Sequence, residues 1–181
     1  MDLSLSEYLA ERKTLIADGA TGTMLMAAGL DPGTPPEAWN VEHPDRVAAL
    51  HQAYLDAGSQ IILTNTFGGS AIKLAKRAAA ERAYEFNLAA AQIARKAAGG
   101  KAFVAGDIGP TGELMKPLGT LTYEDALAAF SEQVQALSKG GVDLIWVETM
   151  SDIQEAHAAI SAARQVDRPV GAGAIGARKT A

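Results

Sequence analysis

The chain has 181 residues, enough for one domain with a sizeable core, and 48% of them are hydrophobic, which excludes a disordered chain. It contains no Cys, so neither a disulfide framework nor a thiolate metal site is open within it. The net charge of −5 and a pI near 5.2 argue against a nucleic-acid or anionic-membrane partner. No apolar run approaches the ~18 residues of a membrane span, and the charged, amphipathic start MDLSLSEYLAERK has no signal-peptide core, so a cytoplasmic location is expected.

In chain order, residues 4–12 read as a short helix with Ser4 or Ser6 as its N-cap. Residues 14–17 form a first strand running into the Gly-rich turn DGATGT. Residues 28–44 make a Pro- and Gly-rich loop whose length suits a functional segment. A helix follows over 45–57, with Val47, Leu50, Tyr54 and Leu55 on one stripe, stopped by Gly58. The short apolar strand 61–63 then meets Thr64, Asn65 and Thr66. An Ala-rich helical stretch runs to Ala98, with a break expected near 78–81 and a stop at Gly99-Gly100. The third strand, 102–105, ends in GDIGP, and a second long loop spans 111–122. Thr122 caps the next helix with Asp125 three residues on, and Gly140-Gly141 end it. Strand 143–147, helix 152–165 and the opening of a fifth strand at 168–170 complete the order.

The stretch YLDAGSQIILTNTF returns as LSKGGVDLIWVETM, aligning Gly58 with Gly141, Ile61-Ile62 with Leu144-Ile145, and Asn65 with Glu148. Two helix–Gly–strand units thus end in a polar side chain at the same place. A βα barrel sets its ligand groups at its carboxyl-terminal face in this way. Strand ends near residues 17, 63, 105 and 147 recur about every 42 residues, and the alternation predicts a parallel sheet. The expected fold is α/β, of the (β/α)8 TIM-barrel type. Eight units need roughly 250 residues, so four complete units and the start of a fifth are expected here.

Each polar strand end has two readings. DGATGT is an ordinary βα turn whose Asp caps the next helix, or a turn whose backbone N–H groups approach a ligand. Asn65 and Thr66 either cap the helix opening near Gly68 or line a site. Glu148, directly after the apolar run 144–147, is costly to bury without a cationic or donor partner, which favours a functional role. Asp107 is balanced between the two. His43, His51 and His157 have no metal-ligand spacing and read as surface or packing residues. Trp146 and Tyr123 read as packing residues.

Taken together, DGATGT at 18–23, LTNTFGG at 63–69, GDIGPTG at 106–112 and WVETM at 146–150, with the PPEAWN loop, resemble the homocysteine S-methyltransferase family from about Thr14 to Pro169. That family includes the homocysteine-binding module of cobalamin-dependent methionine synthase and betaine–homocysteine methyltransferase. The resemblance implies a (β/α)8 barrel with zinc held by three Cys thiolates, on which homocysteine takes a methyl group from methylfolate, betaine or S-methylmethionine to give methionine. It also implies that Asp18 and Gly19 sit at the amino-acid end of the substrate and that Glu148 accepts from its ammonium group. Thr64, Asn65 and Thr66 would line the pocket floor.

The departure from the family is the absence of its zinc-binding Cys residues, which lie beyond the fifth strand. Residues 1–170 are read as the N-terminal part of the barrel and 171–181 as a divergent Gly/Ala-rich tail. An open parallel sheet leaves an unpaired edge and an uncovered inner face, so self-association through that edge is expected. Three functions remain open. The chain is an inactive part of the methyltransferase, a non-catalytic amino-acid-binding or assembly module, or a different barrel enzyme using Asp107 and Glu148 as an acid/base pair.

Overall fold

The computed structural model describes residues 5–10 and 14–173. Four parallel strands, β1 (Ile61–Leu63), β2 (Phe103–Ile108), β3 (Leu144–Glu148) and β4 (Val170–Gly173), lie side by side in chain order. Helices connect them: α4 (Pro44–Asp56) leads into β1, α5 (Ala71–Ala75) and α6 (Ala83–Ala98) into β2, α7 (Tyr123–Gly140) into β3, and α8 (Ile153–Ala163) into β4. Parallel neighbours joined by helical crossovers are the repeating unit of a βα barrel. The described residues hold four strand–helix units and the opening strand of a fifth.

The first strand is reduced. Around Ala17 there is one parallel bridge to Ile61, supported by bonds from the N–H groups of Gln60 (2.7 Å) and Ile61 (3.1 Å) to the Ile16 carbonyl. Ile16 is exposed, while Leu15 packs on the inner-face cluster. Helix α2 (Thr21–Ala27) follows, and the long loop after it contains a 3-10 turn, Pro36–Ala38, and the short α3 (Trp39–Glu42). The Ala-rich stretch does break: Ala78 has φ 53° and a 3-10 turn, Ala80–Arg82, precedes α6. Helix α1 covers Leu5–Ala10, inside the expected span. Ser4 and residues 11–13 lie outside the described residues, as do 174–181, most of the expected tail.

The two glycines that align in the repeat do the same job. Gly58 and Gly141 follow α4 and α7 with φ of 98° and 93°, a left-handed conformation that a side chain would strain. Each turns the chain from helix into strand. Thr122 caps α7 as expected, accepting from the Asp125 N–H at 3.1 Å, and Asp152 caps α8 through the N–H groups of Gln154 and Glu155.

Side chains alternate across the sheet. Ile62, Val104, Ile108, Ile145 and Val147 point outward into a core with Phe130, Val134 and Leu137 of α7 and the alanines of α6 and α8. Gly140 lets α6 and α7 close up: a Cβ there would sit 2.3 Å from that of Ala91. The inner face carries Ile61, Phe103, Ala105 and Leu144, with Leu63 and Trp146 alongside. The expected uncovered inner face is corrected in part. Leu5 and Tyr8 of α1 pack over its lower half, the Tyr8 ring meeting Phe103 edge-on at 5.8 Å, because the amphipathic N-terminal segment has an apolar stripe to bury.

Candidate functional site

Two residues further along each inner-face row, the side chains change from apolar to acidic. Ala105 is followed on its face by Asp107, and Trp146 by Glu148; Asp107 and Trp146 are register partners. Asp18, just after the Ala17 bridge, accepts the Leu63 N–H on both carboxylate oxygens at 3.1 Å, which sets it beside the end of β1. Three carboxylates from three chain segments therefore converge at the carboxyl-terminal ends of the strands. They line a cavity of about 610 Å³ together with Gly19, Asn65, Phe67 and the 35–37 turn.

Burial raises the carboxyl of Asp18 to about 7; its bond from Leu63 works the other way and the charge of Glu148 adds to the rise. Burial likewise pushes Asp107 well up, followed by the charges of Glu148, Asp18 and Glu37. Glu148 is half-buried and its Oε2 accepts the Trp146 indole N–H at 3.2 Å, so the Trp packs and also orients the carboxylate.

Of the residues singled out from sequence, Asp18, Gly19, Asn65 and Glu148 line the cavity, and Thr64 and Thr66 do not. The two threonines are 1% and 0% exposed and sit beneath the floor. The Thr66 hydroxyl donates to the Asp107 carbonyl (2.7 Å), and the Asp107 N–H donates to Thr64 Oγ1 (3.0 Å). With the proton of Thr66 committed, the 2.6 Å bond between the two hydroxyls runs from Thr64 to Thr66. Gln133 of α7 completes the brace through Nε2 to the Thr66 carbonyl at 2.8 Å. Neither Asn65 nor Thr66 caps α5; Ser70 does.

Asn65 ties the site to the PPEAWN segment. Its Nδ2 donates to the Pro36 carbonyl (2.7 Å) and to Asn40 Oδ1 (3.0 Å), and Asn40 Nδ2 donates back to the Asn65 carbonyl (2.9 Å). Glu37, 4% exposed, accepts the Gly68 N–H at 2.7 Å. Burial raises its carboxyl, opposed by Gly68 and by the charges of Lys73 and Arg77. Sequence reasoning missed Glu37, Phe67 and these cations. The signal for Glu37 was a carboxylate set between Pro-Pro and Ala-Trp in a long loop.

Three cations, Lys73 in α5 and Lys76 and Arg77 just after it, line the same cavity. Lys76 bonds the Gly112 carbonyl at 2.6 Å and pairs with Glu113 at 2.7 Å, while Arg77 bonds the carbonyls of Pro32 and Gly33. These straps hold two long loops beside the cavity. Gly109 donates to the Phe67 carbonyl at 3.0 Å, and a Cβ on it would fall 2.5 Å from the Phe67 ring, so only glycine lets that ring lie where it does.

The histidines stand apart from the cavity lining. His51 is completely buried with neither ring nitrogen bonded, and burial lowers it to about 4. His43 lies edge-on to Trp39, and His157 meets the Tyr123 hydroxyl at 3.1 Å.

The homocysteine S-methyltransferase family model matches residues 15–175, nearly the whole described chain. The chain belongs to the homocysteine S-methyltransferase family. It is 31% identical over 178 residues to the methionine synthase of Mycobacterium leprae (strain TN), covering 91% of this chain and 14% of that one. Its fold is similar to the homocysteine methyltransferase MmuM of Escherichia coli. The oxidized form aligns with a TM-score of 0.77 at 24% identity, over 90% of this chain and 62% of that one. The metallated form aligns with a TM-score of 0.75 at 24% identity, over 89% and 62%. The chain thus spans 62% of the MmuM chain and a far smaller share of the methionine synthase.

The three-thiolate zinc site implied by the family resemblance does not fit the residues present. The chain has no Cys, and among the described residues no group of three or more His, Cys, Asp or Glu is placed to hold a metal ion.

Proposed function

We propose that this chain provides the amino-acid-binding part of a homocysteine S-methyltransferase, the family activity being transfer of a methyl group to the homocysteine thiol to give methionine. The observation that carries this reading is the convergence of Asp18 and Glu148 on one end of a cavity in a chain of this family. An ammonium group placed between them relieves their mutual repulsion and the cost of their burial together. Gly19 and the turn after it present backbone beside Asp18, where the α-carboxylate of the same ligand fits. The bound amino acid is then fixed at its polar end, with its side chain free to point towards the methyl donor (methylfolate, betaine or S-methylmethionine). The test is equilibrium binding of homocysteine and methionine to the purified chain, with methionine formation assayed for each donor. Glu148→Gln is expected to weaken binding by about tenfold or more; unchanged binding would contradict the reading.

A second reading, amino-acid binding without turnover, is favoured by one observation. The acidic floor is assembled from this chain's own residues, whereas thiolate donors are absent from it. It predicts homocysteine binding with no methionine formed from any donor.

We also propose self-association. Among the described residues β4 pairs only with β3, which leaves its other edge unpaired. Sedimentation of the purified chain is expected to show species larger than a monomer; a monomer with a cooperative thermal transition at all concentrations would contradict this.

A further inference from the structure

Among the floor carboxylates, only Asp107 has a buried oxygen without a hydrogen-bond partner. Asp18 receives Leu63 and Glu148 receives Trp146, but Asp107 Oδ1 has no hydrogen-bond partner although the residue is only 5% exposed and lines the cavity. Its main chain, in contrast, is fixed from both sides. Thr64 and Thr66 hold its N–H and carbonyl, and Gln133 Nε2 lies 3.4 Å from that carbonyl. A buried, rigidly placed carboxyl oxygen left without a partner is costly to keep, and a ligand that supplies the missing donor removes that cost.

The charges around it give the ligand's sign. Asp18, Glu148 and Glu37 all act on Asp107. Glu37 is offset by Lys73 and Arg77, whereas the charges that act on Asp18 and Asp107 come from other carboxylates. A primary ammonium group carries three N–H donors spread tetrahedrally. Three carboxylates on three separate strand ends offer one acceptor for each.

We propose that Asp107 is the third arm of an ammonium cradle with Asp18 and Glu148, and that this third arm selects ligands carrying a free primary amino group over N-methylated or N-acylated ones. The inference rests on the amino-acid reading above and deepens it. Three close carboxylates do not all stay ionised, so the empty floor holds a proton. When the ammonium enters, that proton leaves to solvent: the carboxylic acid and R–NH3+ become carboxylate paired with R–NH3+, plus one released proton.

The experiment is calorimetric titration of homocysteine into the whole chain near pH 6.5, in two buffers of different ionisation enthalpy, repeated with N-methylhomocysteine and with Asp107→Asn. The wild type is expected to release a proton on binding homocysteine and to bind N-methylhomocysteine about tenfold more weakly. Asp107→Asn is expected to bind homocysteine about tenfold more weakly, to release less proton, and to lose most of the discrimination against the N-methyl compound. The Asn side chain removes a buried charge at nearly constant volume. The wild-type measurements test the proposal without any variant. If wild type binds homocysteine while proton release and N-methyl discrimination are both absent, or Asp107→Asn matches wild type in all three readouts, the Asp107 proposal is overturned and the amino-acid reading stands. If wild type does not bind homocysteine, both are overturned.

Discussion

The two faces of one sheet end differently. On the outer face the apolar rows continue to the last residue pair: Ile108 lies beside Val147, both buried under α7 and α8. On the inner face the same rows change from Ala105 and Trp146 to Asp107 and Glu148 within one step of the pleat. The outer face is organised by packing and the inner one by charge. The lesson is that a parallel strand in this fold serves two environments at once, and that its final residues are released from packing only on the side where the barrel opens.

If that division is right, truncating the outer face should cost the most stability. Phe130→Ala removes a completely buried ring from the outer core and is expected to destabilise by about 3–5 kcal/mol in urea unfolding. Asp18→Asn, on the inner face, should leave stability unchanged or raise it at neutral pH while weakening the ligand.

A smaller effect is expected at the boundary between the faces. Gly109→Ala drives a Cβ into the Phe67 ring and carbonyl, so the ring must swing out of the cavity wall at a cost of about 1–3 kcal/mol. Homocysteine affinity should fall while far-ultraviolet circular dichroism is preserved; an unchanged affinity would show that Phe67 is not part of the working wall.

The pH slopes, gentle over any one pH unit, have opposite signs on the two sides. Asp18 goes from about 3.8 when unfolded to about 7 when folded, so the folded state binds more protons between these values. Its contribution is complete below about 3.8 and is lost as pH rises through 7. Asp107 and Glu37 act in the same direction. His51, in α4, goes from 6.5 down to about 4, so the unfolded state binds more protons there and stability is lost as pH falls through that window. Each group contributes at most about 1.4 kcal/mol per pH unit. His51→Leu should therefore steepen the fall in stability between pH 4 and 7, and Asp18→Asn should flatten it. Parallel curves for the three proteins would contradict the assignment.

Much of this was legible in the chain. The Gly58 and Gly141 stops, the strands after them and the polar strand ends follow from local periodicity and turn chemistry, because those signals lie within a few residues of one another. The first strand is shorter than its apolar residues suggest: Leu15 packs on the inner cluster, but Ile16 is exposed and only Ala17 bridges to β1. Thr64 and Thr66 were placed in the site by their position after a strand. Alternation alone does not say that their hydroxyls would be taken up by the Asp107 backbone. Glu37 and the cations in and just after α5 reach the cavity through contacts between segments about 31 to 45 residues apart, a distance that no local pattern encodes.

The central claim is that the inner-face carboxylates recognise an amino group. It is tested most directly by comparing the affinity of the chain for homocysteine with that for 4-mercaptobutyrate, which keeps the thiol and carboxylate and lacks only the ammonium. Homocysteine is expected to bind about a hundredfold more tightly. Equal affinities would mean that Asp18, Asp107 and Glu148 do not bind the amino group, and the reading of the inner face would fail.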